Sequence, residues 1–145
     1  MKPFGTEFCD HIAIARYAAG EWSAASIEPL APLPMHPAAH VFHYASTCFE
    51  GFKAYRWADG KGRIFRLHDH VARMQKSAAS LCLPVPDRDL LANMVIDLVH
   101  HNLADIPEPP ASLYLRPTLI GTLQNIGEVY LLLDEPVNAL AVLER

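Results

Sequence analysis

Residues 112–121 read SLYLRPTLIG, and apolar side chains alternate there with polar or charged ones. Successive side chains of a β-strand point to opposite faces of its sheet. The pattern therefore predicts a strand that turns Leu113 and Leu115 towards a core. Its opposite face would carry Tyr114, Arg116 and Thr118.

The segment before this strand predicts a hairpin and then a change of period. Residues 52–67 read as two strands joined by a tight turn, in which Asp59-Gly60 and Gly62 supply the positive-φ positions that such a turn needs. If the second strand continues through the sequence IFRL, Phe65 and Arg66 face opposite sides of the sheet.

Two amphipathic helices are predicted between the hairpin and the strand at 112–121. Asp69 is a candidate N-cap for the first helix and Asp87 for the second. Apolar residues recur at steps of three and four, as on the buried face of a helix. The predicted buried positions are Val71, Met74, Ala78 and Leu81 in the first helix, and Leu91, Met94, Leu98 and Asn102 in the second.

The order of elements is strands, helix, helix and strands, because strand character returns at residues 112–121 and 129–133. This order predicts an α+β fold in which two helices pack on a largely antiparallel sheet. The length of 145 residues fits one domain. A hydrophobic content of 51% with 19% charged residues indicates a globular chain and not a disordered one.

Charge and composition exclude several classes of partner. A net charge of -4 offers no basic face for nucleic acid and no polybasic tract for an anionic membrane. No apolar run approaches the roughly 18 residues that span a bilayer, and the first residues lack a signal-peptide pattern, so we expect a cytoplasmic protein. Cys9, Cys48 and Cys82 form no CxxC pair, which favours reduced thiols.

Three arginines are candidates for binding anions. Arg116 shares its face with Tyr114, and a guanidinium binds carboxylate through a planar fork, which suits an amino-acid or keto-acid substrate. The alternative for Arg116 is an edge-strand salt bridge. Arg73 lies one turn into the first helix, where the helix start favours phosphate. The alternative for Arg73 is a solvated surface arginine, and Arg66 is a second phosphate candidate.

Other candidate sites are weaker. The sequence HDH at residues 68–70 supplies no third ligand nearby, so we predict no metal site. No G-x-S-x-G pattern is present. Tyr44 and Phe49 are either core aromatics or the apolar wall of a ligand pocket. Glu50 precedes Gly51, at a backbone position that needs room.

Four stretches, taken together and in order, resemble one family: FGTEFCDHI (4–12), HYASTCFEGFKAYR (43–56), RLHDHVARMQKSAASLCLPVP (66–86) and SLYLRPTLIGT (112–122). They are similar to the N-terminal half of branched-chain amino acid aminotransferases, which are pyridoxal-phosphate enzymes of fold type IV. The similarity runs from about Phe4 to Gly127. It implies the small N-terminal domain of a class IV aminotransferase.

The resemblance implies a role for each of five residues. Arg73 matches the arginine that holds the cofactor phosphate. Tyr44 and Phe49 match residues that line the substrate side-chain pocket. Tyr114 and Arg116 match the tyrosine and arginine near the carboxylate end of the substrate.

The resemblance also implies a homodimer with shared active sites. Ile126 falls where the family sends a loop into the site of the partner subunit. Either Phe4 or Phe8 matches a further pocket aromatic. The family's loop after Gly127 is shortened here, either because the sequence is rearranged or because residues are missing from it.

The family's Schiff-base lysine lies in its second domain, together with the acidic partner of the pyridine nitrogen and a second phosphate-binding loop. None of the lysines of this chain stands in that context; they are Lys2, Lys53, Lys61 and Lys76. We therefore expect residues 1–145 to form the substrate-side domain, with the C-terminal lysine-bearing domain absent. No catalytic residue is predicted, and this chain alone should neither bind pyridoxal phosphate stably nor transaminate.

Three functions remain open from the sequence. The first is the N-terminal domain of an enzyme that exchanges the amino group between leucine, isoleucine or valine and 2-oxoglutarate, in association with itself or with a C-terminal domain. The second is a non-catalytic dimerisation or regulatory module. The third is part of a related type IV enzyme, such as a D-amino acid aminotransferase or an aminodeoxychorismate lyase.

Overall fold

A computed structural model describes residues 8–106, 108, 110–123 and 126–137, with residues 123 and 126–137 described by their backbone alone. Eight strands lie in these ranges: β1 (His11–Ala18), β2 (Glu21–Trp22), β3 (Ser26–Pro29), β4 (Thr47–Phe49), β5 (Phe52–Arg56), β6 (Gly62–Ile64), β7 (Ser112–Leu123) and β8 (Ile126–Val137). The α-helices of the same ranges are α1 (His40–Tyr44), α2 (Leu67–Ser80) and α3 (Arg88–His101).

The described strands form one antiparallel sheet in the order β2-β1-β8-β7-β5-β6, with β3 also paired to β1 and β4 also paired to β7. Strand β7 pairs with β8 along one side and with β4 and β5 along the other. The α+β prediction is therefore confirmed, and the strand predicted at 112–121 lies inside the sheet.

Strand β7 separates a buried face from a partly exposed face, as its alternation predicts. Leu113 and Leu115 are fully buried. They share one hydrophobic core with residues of α2 and α3. Tyr114, Arg116 and Thr118 point to the opposite face and keep partial exposure. We call this second surface the open face of the sheet.

Helix α2 begins earlier than predicted. Its N-cap residue is Arg66, which adopts the left-handed conformation at φ 53°. Asp69 lies in the first turn, where its carboxylate accepts a hydrogen bond from Arg66 Nε at 2.6 Å. The predicted N-cap at Asp69 is therefore wrong. Val71, Met74 and Ala78 are buried as predicted, but Leu81 follows the last turn and is 50% exposed.

Helix α3 agrees with its predicted start and its buried face. The Asp87 side chain accepts a hydrogen bond from the Asp89 backbone N–H at 2.7 Å and caps the helix. The predicted stripe of Leu91, Met94 and Leu98 is buried. Asn102, at the C-cap, is also buried and donates its amide to the Leu98 carbonyl at 2.8 Å.

The β5–β6 hairpin differs in detail from its prediction. Gly60 has the expected positive φ of 76°, but neither Asp59 nor Gly62 has a positive φ, and Gly62 belongs to β6. A Cβ atom on Gly62 would lie 3.2 Å from the Leu103 side chain, so close packing explains this glycine. Strand β6 ends at Ile64, so Phe65 and the left-handed Arg66 lie outside it.

Strands β1–β3 were not anticipated. Ile12 and Ile14 of β1 form a small second core with Leu33 and Ile120. Each helix in the described ranges falls short of the length and apolar character that crossing a membrane requires.

Candidate functional site

The candidate site is built around the short connection between β4 and β5. Phe49 is the last residue of β4 and pairs with Thr118 of β7, which places it on the open face. The Glu50 backbone N–H donates to the Pro117 carbonyl at 3.0 Å. Strand β5 then starts at Phe52, whose Cα partner is Leu115. Both sides of the Glu50–Gly51 connection are thus fixed to the same central strand.

Glu50 and Arg73 form an ion pair that joins this connection to α2. Arg73 donates from Nε to Glu50 Oε2 at 2.6 Å and from Nη2 to Oε1 at 2.5 Å. The Glu50 side chain is only 7% exposed, whereas the Arg73 side chain is 64% exposed. The carboxylate is therefore an internal anchor and the guanidinium reaches the surface.

Hydrogen bonding keeps both members of this pair charged. Burial raises the pKa of Glu50, but hydrogen bonds from Arg73 and from the Gly51 backbone outweigh it and leave the pKa below its ordinary value. The hydrogen bonds to Glu50 raise the pKa of Arg73. The Gly51 N–H donates to Glu50 Oε1 at 2.9 Å.

His70 completes the surroundings of Glu50. Its Nδ1 atom lies 3.4 Å from Glu50 Oε1 and 3.4 Å from Arg73 Nη2. Its ring stacks on Phe52, with the two centroids 4.7 Å apart. His70 therefore packs beside the ion pair and limits how far the pair can move.

Gly51 packs closely against Tyr114, which lies on the open face of the sheet. A Cβ atom on Gly51 would lie 2.1 Å from the Tyr114 hydroxyl oxygen, so a side chain at this position has no room. The Arg116 guanidinium carbon lies 5.5 Å from the centroid of the Tyr114 ring. The consecutive residues Glu50 and Gly51 therefore contact Arg73 and Tyr114 respectively.

An open cleft of about 500 Å³ lies beside this connection. Its lining combines an aromatic ring, two cationic side chains and three hydroxyl groups; the residues are Thr47, Cys48, Phe49, Arg73, Lys76, Ser77, Ser80 and Leu81. The structure thus brings together Phe49 and Arg73, two of the predicted site residues, in one cavity.

The cleft has donors that fit a phosphate group. Arg73 Nη1 makes no hydrogen bond to any residue in the described ranges. Lys76 and Ser77 lie three and four positions after Arg73 on α2, so all three share one side of the helix. Guanidinium, ammonium and hydroxyl groups are the donors that bind phosphate in proteins. A phosphorylated cofactor is therefore compatible with the cleft.

Tyr44 lies apart from the cleft. It ends α1, its side chain is 74% exposed, and its ring contacts are with His40 and His43. Tyr44 is not among the described residues that line the cleft. Its role in a substrate pocket stays a prediction.

The structure also shows where several other predicted residues lie. Arg66 pairs with Asp69, and Phe8 is 39% exposed. Ile126 pairs with Leu123 at the start of β8, so the β7–β8 connection is short at this point. Phe4 lies outside the described residues. No group of three or more potential metal ligands occurs in the described part of the chain.

Glu50 is the residue of the candidate site that the sequence did not identify. Its partner Arg73 is 23 positions away and on a different element, so no local period links them. The sequence offers only an acidic residue between Phe49 and Gly51, and this pattern indicates close packing at the glycine but no ion pair.

No protein-family model matches the chain. The cytosolic branched-chain-amino-acid aminotransferase of Saccharomyces cerevisiae is 42% identical to it over 126 residues, which are 86% of this chain and 34% of that protein. Over these 126 residues, the chain is similar to the branched-chain-amino-acid aminotransferases. The mitochondrial aminotransferase of the same yeast is 40% identical over 126 residues and 32% of its length.

A solved aminotransferase structure shows the same similarity. The T.th. branched-chain amino acid aminotransferase, in a crystal structure with pyridoxamine 5'-phosphate, has a TM-score of 0.64 and 26% identity. The match covers 85% of this chain and 39% of that chain. The chain thus spans about a third of the length of the yeast aminotransferases it matches. These relatives do not favour the D-amino acid aminotransferase or the aminodeoxychorismate lyase.

Proposed function

We propose that residues 1–145 form the substrate-side domain of a branched-chain amino acid aminotransferase. The reaction would exchange the amino group between leucine, isoleucine or valine and 2-oxoglutarate. The observation that carries this proposal is that Phe49 and Arg73 line one cleft, next to a connection whose Gly51 packs against Tyr114.

The proposed roles follow from the chemistry and position of each group. Arg116 and Tyr114, on the open face, would bind the substrate carboxylate through guanidinium and phenol donors. Phe49, at the end of β4 and on the same face, would contact the branched aliphatic side chain. Tyr44 would contribute a second aromatic surface. Arg73 would bind the phosphate of the cofactor.

Pyridoxal phosphate, when bound, supplies the electron sink that stabilises negative charge at the α-carbon of the amino acid. In this chain, Arg73 and the donors near it would hold the phosphate. Among the described lysines, Lys53 lies on β5 and Lys61 in the hairpin turn, and neither lines the cleft. Lys76 lines the cleft as one of the donors near Arg73. We assign none of them a catalytic role.

Two broader properties are part of the proposal. A homodimer with shared sites is supported by the large apolar side chains that remain exposed, among them Phe42, Tyr44 and Phe49. A cytoplasmic location is supported by the similarity to the cytosolic yeast aminotransferase, at 42% identity. The mitochondrial yeast aminotransferase, at 40% identity, is the alternative for location.

The test is a pair of titrations of the isotope-labelled chain, followed by nuclear magnetic resonance. Inorganic phosphate should shift the signals of Arg73 and its α2 neighbours. The 2-keto acid of leucine should shift the signals of Tyr114 and Arg116. Arg73→Gln should weaken only the phosphate response, and Arg116→Gln only the keto-acid response.

Arg88→Gln is the matched control, because Arg88 is an exposed arginine at the start of the other long helix. It should leave both responses unchanged. The assignment is wrong if Arg116→Gln binds the keto acid as well as the unaltered chain does, or if the keto acid shifts the β5–β6 hairpin and spares β7.

A further inference from the structure

Building on the proposed phosphate-binding role of Arg73, we propose that Glu50 is a positioning residue that fixes Arg73 for anion binding. The Glu50 carboxylate would not touch the anion. It would hold one edge of the guanidinium so that the other edge stays directed into the cleft.

The hydrogen-bond pattern supplies the first argument. Glu50 accepts from Nε and Nη2 of Arg73, which together form one edge of the planar guanidinium. Both N–H groups of Nη1 remain, and Nη1 makes no hydrogen bond to a described residue. A guanidinium that is held along one edge can still donate from its other end to a phosphate oxygen.

The fixed position of Glu50 supplies the second argument. Its side chain is buried, its backbone N–H is bonded to Pro117 of β7, and its carboxylate also accepts from the Gly51 N–H. His70 packs against it from α2 while stacking on Phe52 of β5. Two strands and a helix therefore hold the anchor, whereas Arg73 itself is largely exposed and would otherwise sample many rotamers.

Electrostatics alone predicts that Glu50 weakens phosphate binding, whereas a positioning role predicts that Glu50 strengthens it. The direction in which the phosphate affinity changes when Glu50 loses its charge therefore decides between them. A carboxylate next to a cation lowers the attraction of that cation for a second anion. Removing the charge of Glu50 should then tighten phosphate binding if Glu50 only competes. It should weaken phosphate binding if the loss of orientation dominates, because a free arginine must be immobilised when the anion binds.

The experiment measures the affinity of the whole 145-residue chain for inorganic phosphate at low ionic strength, for the unaltered chain and for Glu50→Gln. We expect Glu50→Gln to bind about three- to tenfold more weakly, the cost of ordering one long side chain. Affinity equal to or tighter than that of the unaltered chain overturns the proposal.

Asp69→Asn is the matched control, since it removes an acidic partner from another arginine, Arg66 at the start of α2, whose pair is exposed. It should bind phosphate as tightly as the unaltered chain or slightly more tightly. If Asp69→Asn weakens binding as much as Glu50→Gln does, a general effect of charge removal explains the result and the positioning role fails.

A second measurement, the solvent exchange of the Arg73 Nε–H group, uses the unaltered chain and needs no variant. In the unaltered chain the Arg73 Nε–H signal should be protected from solvent exchange, and it should stay protected when phosphate is added, because Glu50 keeps that edge. Loss of protection on adding phosphate shows that the anion displaces Glu50 and overturns the proposal. If Glu50→Gln does not fold, Glu50→Asp retains the charge but shortens the reach, and it should also bind more weakly.

Arg73→Gln separates this inference from the function on which it rests. If Arg73→Gln leaves phosphate affinity unchanged, the proposed phosphate site is wrong. If Arg73→Gln abolishes binding while Glu50→Gln does not weaken it, the site stands and only the positioning role of Glu50 is wrong.

Discussion

Replacing Gly51 with alanine should displace the side chain of Tyr114. The added Cβ would lie 2.1 Å from the Tyr114 hydroxyl oxygen and 3.0 Å from its Cζ atom, whereas ordinary contacts begin near 3.4 Å. The hydroxyl must therefore retreat by roughly 1 Å or more. Because Gly51 has no positive φ, the backbone itself accepts alanine.

The expected cost is about 1–3 kcal/mol in the free energy of unfolding, the range for an added methyl in a packed site. Since the added methyl group clashes mainly with the Tyr114 hydroxyl oxygen, Tyr114→Phe should restore part of the lost stability. The double variant should be more stable than the sum of the single effects predicts, by about 1 kcal/mol. Urea denaturation of the four proteins measures this coupling.

The same cycle tests the site. Gly51→Ala should weaken binding of the 2-keto acid of leucine, because the phenol no longer lies beside Arg116. Phosphate binding should persist, since Arg73 does not contact the Tyr114 side of the connection. Additive stabilities, or a Gly51→Ala variant as stable as the unaltered chain, would refute the close approach of Gly51 and Tyr114.

Three further outcomes are expected. The pKa of Glu50 in the folded chain lies below its ordinary value of 4.5, so the stability that the ionised Glu50 contributes is present above pH 4.5 and is lost as the pH falls through the folded pKa. Denaturation between about pH 7 and 3 should show this loss of stability, and Glu50→Gln should reduce the pH dependence. Leu115→Ala should lower the free energy of unfolding by about 2–5 kcal/mol, whereas Leu81→Ala, at an exposed position, should change it by less than about 0.5 kcal/mol; comparable effects would contradict the assignment of the core. Borohydride reduction of the chain with pyridoxal phosphate should give no adduct confined to one lysine, and such an adduct together with turnover of leucine would disprove the absence of a catalytic lysine.

The sequence predicted the elements in which the spacing of apolar residues along the chain reflects which side chains are buried. The alternation of Leu113 and Leu115 with Tyr114 and Arg116 is decided by the two faces of one strand, so it is visible locally. The start of α3 was also visible, because a capping aspartate bonds within its own first turn.

The elements that were missed depend on distant partners or on backbone conformation. Arg66 begins α2 in a left-handed conformation, which no residue preference indicates for arginine. Leu81 continues the apolar period but extends past the surface that the sheet covers. The Glu50–Arg73 pair joins a strand connection to a helix, so only the tertiary structure reveals it.

The most direct test of the proposed function is the binding of one molecule that carries a phosphate, an amino-acid carboxylate and a branched side chain. Calorimetry with N-(5'-phosphopyridoxyl)-L-leucine should show that Arg73→Gln and Arg116→Gln each weaken binding, because Arg73 would bind the phosphate and Arg116 the carboxylate. Arg88→Gln should bind as the unaltered chain does. If neither Arg73→Gln nor Arg116→Gln weakens binding, the substrate-side assignment of this domain is contradicted.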